Sequence, residues 1–214
     1  HVIQVDKHYV EDIGIVKFDL LGVATLNLVK EIKDDLHLDP WDYDINNPEF
    51  ENDRPTYELL ASGKTNGVFQ VESAGMKDLL IRLKPKLEQL DFEVISVILA
   101  LYRPDSMGAL DEYVEMATGG SRPPSIHPDM DEILKDTNYC MIYQEQLLDI
   151  VKKFGGRTYG GADLFRKAIG KKIVELVQKE SEILRGEIVA NGYPKEIADK
   201  IANELSQKGG YLFN

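Results

Sequence analysis

The sequence predicts a mainly α-helical chain with a small strand-forming segment near its N-terminus, and three observations predict it. From Met76 onward, apolar residues recur at helical spacing almost without interruption. Before that point, only residues 14–21 (GIVKFDLL) alternate at a period of two between bounding glycines. The chain has 214 residues, 43% of them hydrophobic and 29% charged, enough to bury one sizeable core or a large and a small unit.

In residues 14–21, Val16, Phe18 and Leu20 share one face, which suits a strand. Val23, Leu26, Val29 and Ile32 then suit a helix over 23–36, which dissolves into an acidic stretch with Pro40, Pro48 and Pro55, read as a loop or linker. Met76, Leu79, Leu80 and Leu83 begin a helix stopped by Pro85. The next, 92–102, is nearly all apolar and therefore buried, and Pro104 stops it. Residues 105–128 are rich in glycine and proline (GGSRPPSIHP) and read as a long surface loop that orders only against a partner. Tyr143, Leu147, Ile150 and Phe154 mark a helix ending at Gly155 and Gly156. Helices over 162–167, 173–190 and 195–206 complete the chain, the last opened by Pro194.

The net charge of −12 argues against a nucleic-acid binder, because nonspecific affinity comes from cations that replace condensed counterions. Mapping the charge changes that picture. Acids crowd 34–58, whereas Arg157, Arg166, Lys167, Lys171 and Lys172 face only Asp163 within 157–172, leaving room for a local basic face on an acidic body. There is no apolar run of 18 residues, and 1–10 has no basic stretch followed by an apolar one, so neither a membrane span nor a signal peptide is supported. The single cysteine, Cys140, lies between Tyr139 and Met141 and reads as core packing in a reducing, cytoplasmic setting.

Two places carry candidate chemistry. Alternation puts Lys17 and Asp19 on one face of the strand, roughly 6–7 Å apart along it. Spacing alone fits either a metal-and-phosphate pair or an ordinary surface ion pair, and one carboxylate does not make a two-metal site. Residues 155–172 (GGRTYGGADLFRKAIGKK) lead from a glycine-rich turn into a short helix with Arg166 and Lys167, then Lys171 and Lys172. Basic side chains there suit phosphates, and Tyr159 suits stacking on a base. A solvated basic helix after a glycine cap fits equally well. The segment matches neither a Walker loop nor a GxGxxG fingerprint. Arg103 reads either as a cap on the last helical carbonyls or as a phosphate ligand. The four histidines, at 1, 8, 37 and 127, have no metal-ligand spacing, and no nucleophile elbow or Cys-His pair appears.

Five ordered blocks resemble the catalytic alpha subunit of bacterial DNA polymerase III, a C-family polymerase: VKFDLLG (16–22), GVFQVESAGM (67–76), ALYRP (100–104), YQEQ with GGADLFRKAIGKK (143–146 and 160–172), and GGYLFN (209–214). The form KFDLLG resembles the subfamily typical of most bacteria. The resemblance implies a remnant of the palm domain over 1–24 and a truncated helical fingers domain over 25–214, cut from a longer protein and inactive by itself. It implies that Asp19 matches the third of three aspartates holding two Mg2+ ions, the other two lying outside this chain, and that Lys17 approaches primer or nucleotide phosphates. It makes Arg103, Arg166, Lys167, Lys171 and Lys172 nucleotide- and DNA-facing residues, to which Tyr159 is added from its place in the basic segment. Implied partners are primer-template DNA, dNTPs and, through regions outside this chain, a sliding clamp and other replisome subunits.

The chain departs from that family pattern in places. Lys167 stands where a second arginine is usual, keeping charge but losing bidentate phosphate geometry. Ile169 replaces a methionine, and Asp105-Ser106 stands where glycine and proline are usual. Two other readings are a non-catalytic helical module that binds nucleic acid or an acidic protein, and a divergent phage-encoded or error-prone paralogue.

Overall fold

A computed structural model describes residues 3–6, 9–10, 12–16, 18, 20, 22–39, 52–122, 124–171 and 173–212. It is mainly α, and the chain divides into two compact units, His1–Asn47 and Pro48–Asn214.

In the first unit, turns precede helix α1 (Ala24–Asp35), none of whose residues is buried. The strand expected over 14–21 is not formed by its described residues, and Val16, Phe18 and Leu20 are exposed. A strand is defined by its ladder partner, and no described residue supplies one. Lys17, Asp19 and Leu21 lie outside the described residues.

The second unit holds ten further helices among its described residues: α2 (Arg54–Ala61), α3 (Ala74–Arg82), α4 (Lys84–Leu87), α5 (Phe92–Leu101), α6 (Met107–Ala117), α7 (Pro128–Leu134), α8 (Gln144–Gly155), α9 (Tyr159–Gly170), α10 (Val174–Ala190) and α11 (Lys195–Lys208). Two apolar clusters organise them. The first gathers α2 to α6 around Leu80, Leu83, Leu87, Ile98 and Tyr113. The second gathers α7 to α11 around Leu147, Ile150, Phe154, Phe165, Leu184 and Ile201. Truncating any of these fully buried side chains to alanine costs about 2–5 kcal/mol.

The prolines that look like breakers in the sequence are starters here. Pro55, Pro85 and Pro128 all stand in a first helical turn, where the missing N–H has no partner to lose. Asp53 caps α2 by accepting from the Thr56 N–H at 3.2 Å. The long loop expected over 105–128 is also corrected. Residues 107–117 form α6, because Leu110, Tyr113, Val114 and Ala117 make an i, i+3, i+4, i+7 stripe against the first cluster. The Arg122 guanidinium lies 2.6 Å from an Asp131 carboxylate oxygen and 3.4 Å from the Tyr139 ring centroid, and Ser125 Oγ donates to Asp131 at 2.5 Å.

The start of α8 is fixed by a buried amide. Gln146 Oε1 accepts the N–H groups of Ile142 (2.8 Å) and Tyr143 (3.0 Å), while its Nε2 donates to Thr137 Oγ1 (2.8 Å). That hydroxyl donates in turn to the Cys140 carbonyl at 2.6 Å. One side chain thereby joins the 135–143 turn to the helix that leads toward the glycine-rich segment.

Candidate functional site

The glycine-rich segment is built by two caps and one inward-facing arginine. Helix α8 is closed by Gly156 in the left-handed region (φ 67°), a conformation that a residue without a Cβ adopts at little cost. Asn191 Nδ2 then donates to the Phe154 carbonyl at 2.9 Å, satisfying one of the terminal acceptors of α8. Thr158 caps α9, its Oγ1 accepting from the Gly161 N–H at 3.2 Å, so α9 starts at Tyr159 rather than at the expected residue 162.

Arg157, between the two caps, turns inward. Its side chain is only 13% exposed; Nε donates to Glu187 at 2.7 Å and Nη1 approaches Glu180 at 3.4 Å, both on α10. Its guanidinium carbon lies 5.5 Å from the Phe165 ring centroid. This cation therefore fastens α9 to α10 and is already neutralised.

The inner side of α9 buries Ala162, Phe165, Ala168 and Ile169. At 100° per residue, Tyr159, Asp163, Arg166 and Lys167 fall together on the other side, with Lys171 a turn further on. Tyr159 is 54% exposed. Its hydroxyl donates to Asp149 at 2.9 Å, and Lys152 Nζ sits 4.0 Å from its ring centroid, which leaves the other ring face for a stacking partner. Arg166 Nε donates to Asp163 Oδ1 at 2.8 Å, and Lys167 Nζ lies 3.0 Å from Asp163 Oδ2. The Lys167 ammonium first, then the Arg166 guanidinium, hold the Asp163 carboxyl below its ordinary range. The sequence counted Asp163 only as one offsetting charge; its i, i+3 and i, i+4 spacing to both cations was the available signal.

Arg103 stands on a different element, just past α5. Its Nε donates to the Ala100 carbonyl at 2.7 Å, so the capping role holds. Its Nη2 also reaches the Tyr211 carbonyl (3.2 Å) and Ser106 Oγ (3.4 Å), Ser106 being one of the departures from the family pattern. Arg103, Tyr102, Ser96, Gln70 and Tyr143 line a cleft of about 670 Å³. Gly75 of α3 lets Tyr102 pack against it, because a Cβ there would meet the Tyr102 hydroxyl at 2.0 Å and push that side chain aside. The Tyr143 hydroxyl donates to Glu93 at 2.8 Å, and burial, reinforced by that carboxylate, raises its pKa.

Thus Tyr159, Arg166, Lys167 and Lys171 are brought to the outer side of one helix, and Arg103 lines a separate cleft. Lys17, Asp19 and Lys172 lie outside the described residues. Among the described residues, no group of three His, Cys, Asp or Glu side chains converges as a metal site, and no helix is long and apolar enough to cross a membrane. His127 is structural. Its Nδ1 accepts the Asp129 N–H at 3.1 Å, and its ring meets Phe154 and Tyr193 edge-on at 5.3 Å each.

Residues 25–192 match the family described as "Bacterial DNA polymerase III alpha subunit finger domain". The DNA polymerase III subunit alpha of Aquifex aeolicus is 39% identical over 215 residues, 99% of this chain and 18% of the relative. Those of Halalkalibacterium halodurans and Caulobacter vibrioides are 36% and 35% identical over 206 and 211 residues, 96% and 99% of this chain. The chain therefore spans about 18% of the length of the curated relatives it matches.

Proposed function

We propose, because this chain belongs to the bacterial DNA polymerase III alpha subunit family and contains its finger domain, that the outer side of α9 receives the incoming nucleotide and template during primer extension. The observation that carries the reading is the stripe of Tyr159, Arg166 and Lys167. From Tyr159 to Arg166 it spans about 10.5 Å of helix, comparable to the reach of a nucleotide from base to phosphates. Tyr159 would stack on a base, while Arg166, Lys167, Lys171 and Lys172 would neutralise phosphate charge. Arg103, already bonded at the end of α5, would face DNA or nucleotide from the neighbouring cleft.

Phosphoryl transfer of this kind depends chiefly on positioning and on charge stabilisation, and those are what fixed cations on a packed helix supply. Mg2+, when bound, would stabilise charge on the transferring group. Asp19 is its ligand by resemblance, together with carboxylates outside this chain, and Lys17 would approach the same phosphates. The palm and fingers boundary proposed from the resemblance is residue 24/25. Primer-template DNA and dNTPs are the proposed partners, with a sliding clamp and other replisome subunits engaging regions outside this chain, in the cytoplasm.

The test is binding of a dNTP and of primer-template DNA by this chain across a salt series, comparing the native sequence with Arg166→Glu/Lys167→Glu. Binding that weakens with salt and disappears in the double variant is expected. Binding to an acidic protein with no affinity for dNTP or DNA would count against this reading and select a protein-binding helical module instead. In the full-length enzyme, Asp19→Asn should abolish synthesis while DNA binding persists; retained synthesis would remove Asp19 from the assignment.

A further inference from the structure

Asp163 touches both of the cations that define the outer side of α9, one carboxylate oxygen on each: Oδ1 with Arg166 at 2.8 Å and Oδ2 with Lys167 at 3.0 Å. Seen from solvent, the trio carries one net positive charge rather than two. The carboxylate is not consumed elsewhere in the fold. Its side chain is 34% exposed and packs in neither apolar cluster, so it can turn toward water without opening the core. Arg157, by contrast, is locked between two glutamates of α10 and has no such freedom.

Resting on the proposed phosphate-binding role of α9, we propose that Asp163 is an affinity-limiting residue: its carboxylate stands in for phosphate on Arg166 and Lys167 and holds down the affinity of this face for polyphosphate. Two effects compete when it is removed. The pair of helix-surface ion pairs aligns the two side chains, and losing them disorders the cations slightly. Against this, a unit negative charge disappears within contact distance of the ligand's own phosphates. Repulsion between such charges outweighs a helix-surface pairing, even after screening at physiological ionic strength. The arrangement suits a site that must take up a triphosphate and then release a pyrophosphate, because a returning carboxylate replaces the departing anion's contacts.

The experiment titrates the native 214-residue chain, Asp163→Asn, Asp163→Glu and Arg166→Gln with inorganic tripolyphosphate, at several salt concentrations and without divalent cation. Helix content is checked by circular dichroism, and the site is read from the amide shifts of residues 159–171. Asp163→Asn should bind roughly three- to tenfold more tightly than the native chain, with a steeper salt dependence. Asp163→Glu should stay near native and Arg166→Gln should bind more weakly. Detectable binding in Asp163→Asn alone supports the proposal as well. Binding that is Arg166-dependent but equal or weaker in Asp163→Asn overturns the affinity-limiting role and leaves the phosphate-binding face standing, with Asp163 as an aligning residue. No binding by the native chain or by Asp163→Asn, with amide shifts unmoved, overturns both.

Discussion

Replacing Gln146 by leucine removes hydrogen-bonding atoms while nearly conserving volume, which isolates the contribution of the amide. Three bonds are lost: those from the Ile142 and Tyr143 N–H groups to Oε1, and that from Nε2 to Thr137 Oγ1. They are unequal. Ile142 is 1% exposed, so its N–H is left without acceptor or water, at about 1–3 kcal/mol. Tyr143 is partly exposed, so its N–H recovers solvent and loses about 1 kcal/mol or less. Thr137 Oγ1 still donates to the Cys140 carbonyl and loses only an incoming donor. The sum is about 1–4 kcal/mol, or roughly 2–16 °C in melting temperature for a chain of this size. Urea and thermal unfolding of the native chain and Gln146→Leu measure it, and amide hydrogen exchange locates it, since Ile142 should lose protection before the body of α8 does. A loss under about 0.5 kcal/mol with Ile142 still protected would refute the reasoning, because it would mean that the 135–143 turn finds other acceptors.

Arg157→Met, which keeps the aliphatic stem but leaves Glu180 and Glu187 facing each other without their cation, should destabilise by about 2–4 kcal/mol, and Arg157→Met/Glu187→Met should recover part of it in a double-mutant cycle. Cys140 should resist alkylation at pH 8 until the chain unfolds, because burial, with Glu112 adding to it, pushes its thiol up to about 12; fast labelling of the folded chain would contradict this. Asp163 has a carboxyl held below its unfolded value of 3.8, so its contribution to stability is present above that value and is lost as the pH falls through the lower, folded one. Acid titrations of Asp163→Asn should therefore be flatter than those of the native chain below about pH 4, and superimposable curves would refute the pairing.

How much was legible in the sequence depended on the range of the interaction that decides each element. Helix α5 was plain because ten nearly all-apolar residues between Asp91 and Tyr102 have nowhere to go but inside. Helix α6 was overlooked although Leu110, Tyr113, Val114 and Ala117 are spaced for it, because the glycines and prolines that follow coloured the whole of 105–128. Pro55 and Pro128 read as linker and loop residues although each starts a helix, and Pro85 both follows the end of α3 and opens α4, a distinction that rests on what the first turn packs against. Gln146 lay inside a block that the family resemblance had already singled out, but its work as a buried acceptor needs Ile142 and Thr137 folded back onto it, which no local pattern reports.

The basic segment shows the same limit in its charges. The sequence offers five cations over 157–172 against one acid, and counting alone would spread that excess over one face. Folding divides it. Arg157 is drawn inward by Glu180 and Glu187, residues more than 20 positions away on α10, and contributes nothing to an approaching phosphate. Arg166 and Lys167 remain outside but share Asp163, while Lys171 is exposed a turn beyond them. Substituting Arg157 should therefore weaken phosphate binding only as far as it loosens α9, whereas substituting Arg166 should weaken it with the fold intact. Comparing binding and melting for the two variants separates a cation that builds the face from one that uses it.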